Sequence, residues 1–329
     1  MATITKTYSG TWSFLSYIRR HRKLQGVFTH GRNTKSPQQS NNYSSSAGTS
    51  PNNRQYCLNL IQKYDYENFL CTLLYPKPAR EAAIAIRAFN VEIAQVQDVV
   101  SDKQRGAMRM VFWRDTIEKI YQGSPPQTPI ALELAKVIRQ HKLTKQWFMR
   151  CIDARATRLE NDFFRSVADL EDYSEHSVSS LMYLILESLG IKDLHADHAA
   201  SHIGRAHGLV TFLRAIPFNT SRGRVNLPMD LLIKYNVSQE DVYRGKKPEL
   251  VCDIVYDIAS VAIQHLRTAQ TLKKEVPKSA VPTFLNTVMC EKYLMNIQKA
   301  GFNVFDSNLQ RKNGLLPIQL FLRSIKRTY

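Results

Sequence analysis

Two stretches of the chain hold the residue types and spacing that diphosphate chemistry would use, and both are short of carboxylates. The first, Ala88-Phe89-Asn90-Val91-Glu92-Ile93-Ala94-Gln95-Val96-Gln97-Asp98, has acids only at 92 and 98, and the second, Thr211 through Asn219, has none. Magnesium takes oxygen ligands in near-octahedral geometry and commonly bridges carboxylates to substrate phosphates. Two facing helices can supply those ligands when each offers acids at i and i+4, because such residues share a face. Ionising an allylic diphosphate also needs the metal to neutralise the departing charge and an apolar enclosure to shelter the cation. Asp98 stands alone in this respect, and a lone carboxylate near a helix end reads as a solvated or capping acid rather than a metal ligand. Arg214 and Arg224 keep a different capacity, since a planar guanidinium pairs well with phosphate oxygens. Salt bridges within a helical bundle would account for them equally well.

The elements that must position these residues are helical. Ala82, Ile86, Phe89, Ile93, Val96 and Val100 recur at spacings of four and three, which predicts one long amphipathic helix, with Pro76 and Pro78 at its start and Gly106 at its exit. A second helix over about Met108 to Tyr121 is closed by Gly123-Ser124-Pro125-Pro126. Further helices are predicted near 129–141, 144–165, 169–189, 194–216, 248–274, 282–299 and 316–327, with helical structure beginning at about Tyr64. No alternating β-rich run interrupts them. The expected fold is therefore all-α and single-domain, with a helical repeat solenoid as the alternative architecture.

Gly223-Arg224-Val225-Asn226-Leu227-Pro228 follows the second stretch and resembles the Gly-Arg-Val-x-Leu-Pro signature of the squalene/phytoene synthase family. The first stretch resembles that family's Ala-Phe-Cys-Arg-x-x-Asp-Asp-x-x-Asp motif, of which Asp98 matches a metal-side aspartate while Ala94 and Gln95 stand at the other two positions. The second resembles Asn-x-x-Arg-Asp-x-x-Glu-Asp, with Arg214 retained, Thr211 at the asparagine and Ala215, Phe218 and Asn219 at the three acids. Phe112-Trp113-Arg114-Asp115 and Asp169-Leu170-Glu171-Asp172-Tyr173 also resemble family segments, so the likeness spans about Tyr56 to Arg327. It is closest to a non-catalytic branch. The resemblance implies an isoprenoid-synthase-type helical bundle and a pseudoenzyme with no cofactor and no metal. It further implies a matrix-side location at the mitochondrial inner membrane and a role in assembling respiratory complex I. The implied partners are complex I subunits or other assembly factors, the membrane surface, and a lipid or isoprenoid in the cavity. Asp98, Arg214 and Arg224 are the candidate residual phosphate or ligand contacts. An active prenyl diphosphate transferase with an atypical metal site is the alternative.

Charge and composition limit the other classes. The 329 residues carry a formal charge of +17, but residues 1–64 hold nine basic residues and no acid, so the remainder has an excess of only eight. A mildly basic body without a basic stripe and interleaved aromatics does not call for nucleic acid. The acid-free, serine- and arginine-bearing N-terminus, with Phe14, Leu15 and Ile18 able to share a helical face, has the composition of a mitochondrial transit peptide. Residues 1–54 are accordingly expected to be transit peptide and disordered linker, and 55–329 the helical domain. No run approaches the roughly 18 apolar residues of a spanning helix. The five cysteines are odd in number and never in a Cys-x-x-Cys pair, which fits reduced, buried thiols.

Two more constellations invite weighing. His195, His198 and His202 share a predicted helix, yet no further ligand stands close in sequence, which favours a polar helix face over zinc. Ile318, Phe321, Leu322 and Ile325 line one face of the last predicted helix beside Arg323, Lys326 and Arg327. That pattern describes a core helix with a basic outer face, or else a helix lying on an anionic membrane.

Overall fold

The apolar positions read at three- and four-residue spacing do face inward, and the helices bury them in two large cores and two smaller clusters. The computed structural model describes residues 51–100, 102–311 and 313–329; the expected transit segment lies almost entirely outside them. In chain order the α-helices are α1 (Pro51–Tyr64), α2 (Tyr66–Thr72), α3 (Lys77–Val99), α4 (Lys103–Tyr121), α5 (Pro129–His141), α6 (Lys145–Glu160), α7 (Val167–Ser174), α8 (Ser180–Ser188), α9 (Leu194–Thr220), α10 (Met229–Lys234), α11 (Gln239–Tyr243), α12 (Pro248–Thr271), α13 (Thr287–Lys299) and α14 (Leu316–Ile325). Among the described residues there is no strand.

The first core joins α1, α3, α4, α5, α6 and α8 around Ile61, Ile86, Phe89, Ile117, Leu134 and Phe148, all fully buried. Phe89 sits at its centre, edge-on to both Trp113 and Phe148 with centroids 5.4 Å away in each case, a geometry aromatic quadrupoles favour. The second core is built on the long pairing of α9 with α12 and is closed by α7, α10 and α13.

Helical structure begins before Tyr64. Cys57 and Ile61 of α1 are fully buried and Tyr64 packs beside them, so the 57, 61, 64 spacing belongs to a packed helix that reaches back to Pro51. Gly106 is also not an exit. The α3 helix stops at Val99, Val100 is extended, and Asp102 caps α4 by accepting from Arg105 N–H at 2.8 Å. Gly106 falls in the first turns of α4, where a Cβ would come within 3.2 Å of Leu159.

The 169–189 prediction spans two helices joined by a π-helical turn, Glu175–Ser179. Ser174 and Ser177 donate their hydroxyls back to the carbonyls of Leu170 and Tyr173, the side-chain competition that bends helices. The α9 helix crosses this turn at backbone contact. A Cβ at Gly204 would lie 2.1 Å from Ser179 Oγ and 2.7 Å from its Cα, and one at Gly208 would lie 2.2 Å from Ser174 Oγ. Close approach, not conformational freedom, requires those two glycines.

The last helix corrects the packed reading of its apolar stripe. Leu316 and Leu320 are buried against Cys71, Leu285, Val288 and Met289, whereas Ile318 is 57 % exposed, Phe321 54 %, Leu322 49 % and Ile325 62 %. Packing uses the narrow 316/320 row, and the wider apolar row faces away from the bundle.

Candidate functional site

The end of α3 and the turn after α9 meet, and they bring Asp98 to Arg224. Pro217 lies inside α9, and the helix closes through Ser221 N–H to Pro217 O, Gly223 N–H to Thr220 O and Arg224 N–H to Asn219 O. Gly223 has φ +72, the left-handed geometry that helix C-terminal turns use and that glycine adopts without strain. This turn carries Arg222 and Arg224 to the same carboxylate, with Arg222 Nη1 3.5 Å and Arg224 Nη2 3.8 Å from Asp98 Oδ1. Burial pushes the Asp98 carboxyl above its ordinary range, and Arg224 and Arg222 oppose that shift. Arg222 also lies over the Phe218 ring, 4.3 Å from its centroid.

Two half-exposed guanidinium groups face the Asp98 carboxylate here, while Ala94, Gln95, Thr211, Ala215, Phe218 and Asn219 carry no carboxylate side chain. Glu92, the other acid of the first stretch, is half-buried; burial raises its pKa and Arg109 opposes the rise. The adjoining surface recess is lined by Phe212, Ile216, Asn219, Thr220, Arg224 and Leu227 among others.

Arg214 is elsewhere and already engaged. Its two terminal nitrogens donate to Glu67 of α2 at 2.7 and 3.4 Å, and its guanidinium stands 5.9 Å from the Tyr293 ring centroid. A parallel pair, Arg87 of α3 with Asp65 at 3.3 Å, lies deep in the bundle, and Asn68 donates to the same Asp65. Between these pairs His207 is held by Asn286 at 2.9 Å, and burial, reinforced by Arg87 and Arg214, lowers its pKa to about 3. Side chains of α2, α3, α9 and α13 thus fill this region with ion pairs and a neutral imidazole. Asn90, in the first stretch, accepts from Arg155 at 2.6 Å.

The histidine row diverges. His195 pairs with Glu275 at 2.8 Å, while His202 meets His265 of α12 with their Nδ1 atoms 2.8 Å apart, and His265 Nε2 meets Glu171 at 2.7 Å. Glu171, His265 and His202 thus form a hydrogen-bonded row, but among the described residues no group of three His, Cys, Asp or Glu is arranged for a metal.

Sequence reasoning passed over Glu67, Asp65, Arg87 and His265. Only Arg87 had a local signal: it interrupts the run Ala82-Ala83-Ile84-Ala85-Ile86, where a buried charge demands a partner.

Comparison with known proteins agrees with this architecture. The family profile described as squalene/phytoene synthase matches residues 61–315. Among relatives, the chain is 48 % identical over 313 residues to a Bos taurus protein named NADH dehydrogenase (ubiquinone) complex I, assembly factor 6, covering 94 % of each chain. It is 51 % identical over 274 residues to the Homo sapiens protein of that name, covering 83 % of this chain and 82 % of the other. Among solved structures, squalene synthase HpnC from Alicyclobacillus acidocaldarius superposes with a TM-score of 0.68 at 19 % identity, over 78 % of this chain and 98 % of that one.

Proposed function

The chain belongs to the squalene/phytoene synthase family, and on that premise we propose that it is a non-catalytic member acting in the assembly of mitochondrial respiratory complex I. It works early, on the matrix side of the inner membrane, by holding a membrane-arm or peripheral-arm subunit or another assembly factor against the helical bundle. Its contact with the membrane is peripheral, and its N-terminus is the mitochondrial address. About half of its residues match relatives named for complex I assembly over most of both chains, which supports the process.

The observation that carries the non-catalytic part is the environment of Asp98. At the positions where the family motif has metal-binding acids this chain has one carboxylate, and Arg222 and Arg224 stand against it. A divalent cation approaching Asp98 would meet two fixed positive charges, and at the acid position of Phe218 an aromatic ring lies under one of them. In the interior of the bundle, Glu67 pairs with Arg214 and Asp65 with Arg87.

The test is to incubate the purified protein with magnesium and farnesyl or geranylgeranyl diphosphate and measure released diphosphate. No release is expected, with or without Asp98→Asn. Turnover that disappears in Asp98→Asn would establish the prenyl transferase alternative.

A further inference from the structure

The α14 helix has two apolar faces, and the bundle uses one. At 100° per residue, Leu316 and Leu320 point into the bundle, and Leu315, Ile318, Phe321, Leu322 and Ile325 cluster about the opposite direction, each close to or more than half exposed. These five side chains form a ridge rather than a groove, because the helix lies on the surface and its far side projects outward.

Charge distinguishes the possible occupants. No acidic residue follows Asp306, while Arg311, Lys312, Arg323, Lys326 and Arg327 are all basic. Arg323 is joined to Glu291 at 2.9 Å on the inward side, and Lys326 and Arg327 are exposed at the C-terminal end of the ridge. A projecting apolar ridge with an acid-free basic end matches an interfacial helix, whose apolar face sinks below lipid headgroups while its cations meet their phosphates. No helix among the described residues is long and apolar enough to cross a membrane, so such contact would lie in the plane of the surface. A protein groove would also cover a ridge, but it would not by itself account for the absence of acids along the last 23 residues.

We propose that Leu315, capping the start of α14, and Ile318, Phe321, Leu322 and Ile325 within it insert into an anionic bilayer surface and fix the protein there with this helix parallel to the membrane. The inference rests on the peripheral-membrane reading above and names the face responsible.

The test uses the full chain carrying Phe321→Trp and vesicles of brominated phosphatidylcholine with cardiolipin. The basic N-terminus could itself bind such vesicles, so the readout is quenching in excess of that shown by the unsubstituted chain, which isolates position 321. Excess quenching is expected, with its loss when Ile318→Ser and Ile325→Ser are added; both positions are exposed, so folding is spared. Vesicles that carry the chain through flotation without excess quenching would overturn this inference, leave the peripheral reading intact and hand the ridge to a protein partner. A chain that does not float with the vesicles would overturn both.

Discussion

Arg214 and Glu67, 147 positions apart in sequence, form a bidentate ion pair that ties α9 to α2 inside the bundle. Arg214 is the arginine that the second motif retains, and here it holds the fold together. The Arg214 side chain is 15 % exposed and the Glu67 side chain 7 %, so both charges are largely withdrawn from water. Removing one member of such a pair strands the other, at a cost of about 3–5 kcal/mol, whereas replacing both with apolar residues of similar volume is often close to neutral. Arg214→Ala should therefore lower stability in denaturant melts far more than the double change Arg214→Met with Glu67→Leu. Equal losses would show that the pair is not the source of the effect.

His207 predicts a pH dependence. Its pKa falls from 6.5 to about 3 on folding, so between those values the unfolded chain binds a proton that the folded chain refuses. Stability from this group is present above pH 6.5 and is lost as pH drops toward 3, with a slope of up to about 1.4 kcal/mol per pH unit. His207→Gln should flatten the stability profile below pH 6.5 relative to the unsubstituted protein, as read from urea midpoints across that range. An unchanged slope would contradict the assignment.

The crossing of α9 over the π-helical turn is equally open to test. A methyl at Gly204 would overlap Ser179 backbone and side chain, so the two elements must part. Gly204→Ala should cost about 1–3 kcal/mol, the usual penalty of overpacking, despite alanine's better helix propensity. A gain in melting temperature would mean the contact is looser than described.

Asp98→Asn should be mild by comparison. Asp98 is partly exposed and its two arginines lie at 3.5 and 3.8 Å at the surface, and pairs of that kind contribute about 0–1 kcal/mol. A melting transition within a few degrees of the original is expected. A collapse of the fold would give Asp98 a structural role that this geometry does not.

Much of the fold was legible because local periodicity carries it. The row from Ala82 to Val96 marks the buried face of α3 directly, and Pro76 and Pro78 mark its start. Gly106 misled because a glycine in a helix can serve close packing as well as termination, and only the position of Leu159 decides which. The π-helical turn at Glu175–Ser179 follows from the serines and from what α9 brings against them, a tertiary cause with no periodic signature. At the candidate site, the scarcity of acids was visible in the sequence, and so was Asp98 as the remaining one. Its partner Arg222 was not, nor was the commitment of Arg214 to Glu67, since pairing across 147 positions leaves no spacing to read. In α14 the pattern was legible but its orientation was not, because an apolar row does not say whether protein or another surface will cover it.

Whether Asp98 performs chemistry is decided by complex I activity in cells that lack this protein and re-express it as Asp98→Asn. Restoration to the level reached with the unsubstituted protein is expected, because a non-catalytic member needs no chemistry from this carboxylate. Failure to restore complex I while the variant accumulates normally would contradict that expectation and return Asp98 to a catalytic role.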